Sequence, residues 1–175
     1  MVCKQALRIL SQKKAIIGHL TDDDYRKKLD VFFGASVGDH IRHSVNHFET
    51  LLSAAKHSGG GLEVHNYDKR CRNTLMESER KIALQIIDEI ATSLPRLRMD
   101  TSIHIGFVAA SEADETFEEY GMQSTVAREL SFVAHHSVHH LSTIRLMMNH
   151  LNYPCNFDDN IGKAPSTLRF DKEGN

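Results

Sequence analysis

A chain of 175 residues is enough for one well-buried core and short for two ordinary domains, so residues 1–175 read as a single domain. Hydrophobic residues at 41%, charged residues at 25% and only 3 prolines exclude a disordered chain. With 21 basic against 23 acidic residues the formal charge is -2, which excludes the basic footprint a nucleic-acid binder needs.

Three cysteines, Cys3, Cys71 and Cys155, are an odd number at unpatterned spacings. They point to reduced thiols and a cytoplasmic address. No stretch approaches the ~20 apolar residues of a membrane span, so no membrane partner is expected.

From about Lys4 to Leu20, Ala6, Leu7, Leu10, Ile16, Ile17 and Leu20 recur at helical spacing and predict a first helix. Thr21 and the three aspartates after it read as the cap and acidic first turn of a short helical connector ending near Gly34. Ser36 with Asp39 three residues on starts a second helix from about Val37 to His57, its apolar stripe made by Ile41, Val45, Phe48, Leu51 and Leu52. Gly59 to Gly61 end it and open a polar loop through Asn66 and Asp68.

Thr74 to Glu77 has the form of a capping box, and Ile82, Ile86, Ile90 and Leu94 mark a third helix up to Pro95. Between Leu97 and Val108 the pattern turns to alternation, which predicts a short hairpin. The acidic run from Glu112 to Glu119 reads as a solvated loop or helical turn. Ser124 then caps a fourth helix from about Thr125 to Leu151, and the tail after Pro154 reads as irregular. Four long helices with two substantial connections predict an all-α, antiparallel four-helix bundle, with the short hairpin before its last helix.

Of the 12 histidines, seven fall in two short segments: His40, His43 and His47 on the second helix, His135, His136, His139 and His140 on the fourth. On the fourth helix, Val126, Leu130, Val133, Leu141, Ile144 and Met148 define the inward stripe. His140 lies roughly 60° and His136 roughly 100° from its centre, while His135 and His139 fall roughly 160° away. The inner pair is therefore His136 and His140. On the second helix His40 and His47 flank the core at roughly 85 to 105°, and His43 leans outward at roughly 145°. One histidine from the second helix and an i,i+4 pair from the fourth make a three-nitrogen set that leaves a coordination position for water or substrate. Imidazoles without thiolates suit zinc, iron or nickel. Glu129, seven residues before His136, shares its face and is placed to order the ligands indirectly or to act on substrate.

The segments from Ser36 to Phe48, from Arg128 to His140 and from Ala164 to Phe170 together resemble, in order and spacing, the DinB/YfiT-like metal-dependent enzymes. The resemblance implies an antiparallel four-helix bundle, often a homodimer, with a three-histidine metal site at His136, His140 and either His47 or His43, core geometry favouring His47. It also implies a divalent-metal-dependent enzyme of thiol S-transferase or hydrolase type, acting on a small molecule such as a low-molecular-weight thiol. The alternative is a non-catalytic helical-bundle binding or interaction module. Phe132 and Leu146, on the face of the fourth helix opposite its main stripe, are the expected two-fold contact of a homodimer.

Overall fold

The computed structural model describes residues 1–58, 63–69, 74–110, 117–154, 156 and 158–174. Cys71, Cys155, the Gly59 to Gly61 stop and the Glu112 to Thr116 part of the acidic run lie outside the described residues.

Four helices form the body: α1 (Val2–His19), α3 (Val37–His57), α5 (Arg80–Ser93) and α6 (Val126–His150). Both α5 and α6 pack against α1 and α3, so the four close on a shared core. The short helix α2 (Asp22–Arg26) follows α1, its first turn capped by Thr21, whose Oγ1 accepts from the Asp24 N–H. At the start of α3 the capping box is complete: Ser36 Oγ accepts from the Asp39 N–H at 3.1 Å and Asp39 accepts from the Ser36 N–H at 2.7 Å. Val37, Ile41, Val45 and Phe48 of α3 and Val126, Leu130, Val133, Leu141, Ile144 and Met148 of α6 are all buried, as their helical spacing predicts. Each contributes about 1.5–3 kcal/mol by leaving water.

The chain is nevertheless not an all-α four-helix bundle. A three-stranded mixed sheet is built onto the helical body, and seven α-helices stand among the described residues. Strand β2 (Ser102–Ala110) pairs antiparallel with β3 (Phe117–Thr125), in register from Ser102↔Thr125 to Ala110↔Phe117. Strand β1 (Val64–Asn66) adds in parallel to the other edge of β2 and packs on α3. Alternation from Leu97 to Val108 marked only the inner half of this ribbon, because Ile103 and Ile105 face the core whereas β3 is almost wholly exposed and carries no burial pattern to read. The acidic residues Glu118 and Glu119 accordingly lie in a strand, not in a loop or helical turn.

Two helix boundaries also differ. The third predicted helix is divided into α4 (Leu75–Ser78) and α5 at Glu79, which is extended, and Thr74 makes no side-chain cap. Its buried face is Ala83, Ile87 and Ile90, one residue out of phase with Ile82 and Ile86. The reason is a close approach: a Cβ on Gly38 of α3 would stand 2.0 Å from the Glu77 carbonyl oxygen, so backbone meets backbone where α4 crosses α3. Arg42 and Glu77 then pair at 2.5 Å in the same largely buried crossing. After Pro154 the chain is not wholly irregular, since Pro165 begins a further helix, α7 (Pro165–Glu173).

Strand β3 passes directly into α6. Thr125, the last strand residue, is also the N-cap, its Oγ1 accepting from the Arg128 N–H. Ser124 is therefore not the cap; its hydroxyl donates to Glu129 Oε1 at 2.6 Å.

Candidate metal centre

The packing of α3 on α6 turns the two histidine segments toward each other. His136 Nε2 lies 2.9 Å from His43 Nε2 and 3.1 Å from His140 Nε2, and His140 Nδ1 lies 2.9 Å from His40 Nδ1. Ligand nitrogens of His43, His47 and His136 all fall within 4.8 Å of one another. The structure thus brings His43, His47 and His136 into one group within ligand reach, and sets His140 against His136 and His40. His43, expected to lean outward, is half-buried and lies at the centre of the group, because the helices cross closely enough for a flank position to reach across. His135 and His139 are exposed on the outer face, as their phase requires.

Nitrogens bound at ~2.1 Å to one ion stand roughly 3.0–3.4 Å from each other, from octahedral to tetrahedral arrangement. The His43–His136 and His136–His140 separations of 2.9 and 3.1 Å lie close to this, and the donor set is chemically uniform. One Nε2 facing two others cannot satisfy both as a hydrogen-bond partner in good geometry, whereas a shared cation satisfies all three. The residues present fit a first-row divalent metal. For His47 the ligand atom is fixed locally: Nδ1–H donates to the His43 carbonyl at 2.9 Å, which leaves the lone pair on Nε2.

The electrostatics favour neutral imidazole. Burial, reinforced by His43, His136, Lys13 and His40, pushes His140 down to about 2. Burial also lowers His40, with Asp39 opposing and His139 and Lys13 adding to the effect. Neutral rings are the form that binds metal.

Lys13 is the residue the sequence reading passed over. Its side chain is entirely buried, its Nζ donates to Ser44 Oγ at 2.5 Å, and burial pushes it down to about 7. Ser44 Oγ in turn donates to the His40 carbonyl at 2.9 Å. A signal existed: Lys13 falls three or four residues from Ile9, Leu10, Ile16 and Ile17, in the middle of the buried stripe of α1.

Aromatic rings close one side. Tyr67, just after β1, stacks on His47 with centroids 4.9 Å apart, and Phe132 of α6 stacks on His136 at 5.9 Å. Tyr67 lay in a segment that reads as polar loop, and no periodicity placed it here. Phe132, expected at a two-fold contact, is exposed and flanks the histidines beneath Arg128, which lies 5.6 Å from its ring centre. Glu129 does not enter the group. It is buried and accepts from Tyr67, Ser124 and Arg128. Cys3 is half-buried on α1.

No protein-family model matches the chain, and no solved structure matches it. Among curated proteins it is similar to FK506-binding protein 5 of Rhizopus delemar, at 32% identity over 117 residues. The match takes in 64% of this chain and 29% of that protein, so the chain spans less than a third of the relative's length.

Proposed function

We propose that this chain is a divalent-metal-binding protein of the metal-dependent enzyme type, with a centre formed by His47, His136 and His140 and with His43 in reach of the same ion. The observation that supports it is the convergence of the His43, His136 and His140 Nε2 atoms at 2.9 and 3.1 Å. The resemblance of the two histidine segments to DinB-like proteins adds to this reading. Zinc, nickel and iron all suit the donors.

When bound, the ion supplies Lewis acidity to a thiol, a water or a carbonyl. The chain's own residues do the positioning: His43 holds the tautomer of His47 through its carbonyl, Tyr67 and Phe132 wall the rings, and burial keeps His140 neutral. The substrate is a small molecule, a low-molecular-weight thiol in the S-transferase form of the reading and a hydrolysable carbonyl compound in the other. Among the described residues no helix is long and apolar enough to cross a membrane.

Metal content measured by mass spectrometry on purified single variants tests the centre. His136→Ala and His140→Ala are expected to remove about one equivalent, while His135→Ala and His139→Ala keep it. Equal loss from the outer pair, or a wild-type protein that takes up no zinc, nickel or iron, overturns the proposal. Thiol-transfer and hydrolysis assays on the loaded protein then separate the two reaction classes from a non-catalytic binding module.

A further inference from the structure

About ten residues beyond His47, and therefore ~15 Å further along α3, the helix ends at His57. His57 meets Glu63 and His65 at the start of β1, with one ligand atom from each lying within 4.8 Å of the others. The two imidazoles stack with centroids 5.6 Å apart and planes 18° from parallel. His57 Nδ1–H donates to the Ser53 carbonyl at 2.9 Å, which fixes the tautomer and leaves Nε2 as the free lone pair.

His65 supplies a second, independent observation. Its Nε2 is buried and makes no hydrogen bond, and Glu63 Oε1 stands 3.9 Å away. A buried ring nitrogen without a partner is costly, and a bound cation would satisfy it. At 3.9 Å the pair is too long for a hydrogen bond, and a small shift of the exposed Glu63 side chain brings it to the spacing of two ligands on one ion. A cavity of ≈ 130 Å³, lined by His57, Glu63, Ser102 and His104 among others, opens beside the group and leaves room for water.

We propose that His57, Glu63 and His65 form a second divalent-cation site, separate from the five-histidine centre, that ties the last turn of α3 to β1. The donors are two imidazoles and one carboxylate, a set that suits zinc. Three residues of parallel pairing with β2 hold β1 weakly by themselves, and a cation across α3 and β1 anchors the sheet to the helical body.

Zinc titration of metal-depleted protein by calorimetry tests the site. Wild type is expected to bind one equivalent more than the His57→Ala, His65→Ala double variant. Glu63→Gln, on a side chain 62% exposed and so without consequence for folding, is expected to weaken that same equivalent by ~10-fold or more. His136→Ala is expected to leave it intact. Equal stoichiometry in wild type and double variant, or unchanged affinities in Glu63→Gln, overturns the proposal. Should the five-histidine centre take no zinc, wild type binds a single equivalent that vanishes in the double variant, so the two readings fail separately.

Discussion

Tyr67 lies flat on His47, the ring planes 11° from parallel, while its hydroxyl donates to the buried carboxylate of Glu129 at 3.0 Å. The carboxylate reaches His47 through this ring: it holds the phenol, and the phenol holds the imidazole. Tyr67→Ala removes the stack and leaves Glu129 one donor short. Metal affinity is expected to fall ~10-fold or more, with Tyr67→Phe falling less because the stack survives. Competition with a chelator of known affinity measures both, and equal affinities in wild type and Tyr67→Ala would show the ring to be a bystander.

Lys13 makes a pH-dependent cost visible in the metal-free protein. Its amine titrates near 10.5 when the chain is unfolded and is pushed to about 7 in the fold. Between these values the unfolded state binds more protons, so stability rises with pH across the interval. The cost is complete below about pH 7 and gone above about pH 10.5. Lys13→Met is therefore expected to stabilise the protein at pH 7 by about 2–4 kcal/mol, with the gain shrinking as pH rises. Ser44 keeps its bonds to the His40 and Ile41 carbonyls in the variant. Denaturant unfolding at pH 7 and pH 10 gives the comparison; a loss of stability at pH 7 would contradict it.

His140 acts in the acid range. Its folded value of about 2 lies below the ordinary 6.5, so the stability tied to its neutral form is full above pH 6.5 and lost progressively as pH falls toward 2. Metal-free His140→Asn, which has no such group to titrate, is expected to show a shallower decline of melting temperature between pH 6.5 and pH 4. Parallel decline in the two proteins would assign the acid sensitivity elsewhere.

Gly38→Ala places a methyl group against the Glu77 carbonyl, where α4 crosses α3. Backbone cannot yield there as a side chain would, and a loss of about 1–3 kcal/mol is expected. Thermal unfolding reads it directly, and an unchanged melting temperature would mean that α4 moves freely on α3.

The helical half of the fold was legible because its residues carry a period. Ser36 with Asp39 announced the start of α3, and the stripe from Val126 to Met148 gave the face of α6 and, with it, the inner pair His136 and His140. Two failures have one cause. Strand β3 has hardly a buried position, so nothing in its sequence alternates, and β1 has three residues, too few for a pattern. The four-helix reading followed from that silence. Within the site, phase angles placed His43 outside because they describe a helix alone, whereas its position is decided by how near α6 comes. Lys13 was readable from its neighbours Ile9, Leu10, Ile16 and Ile17, but a lysine on an apolar stripe is easily credited to the surface.

Strand β3 is the last in the sheet order β1-β2-β3, so its outer edge offers backbone donors and acceptors with no strand beside them among the described residues. Such an edge is a template on which a second chain can add itself. Phe117, Tyr120 and Met122 are exposed along it and would reward that addition, while the strand also carries Glu118, which accepts from the Tyr120 hydroxyl, and Glu119, which pairs with Lys69. Charge on such an edge opposes the addition of a second copy, so neutralising the two carboxylates is expected to turn a solvated edge into an adhesive one.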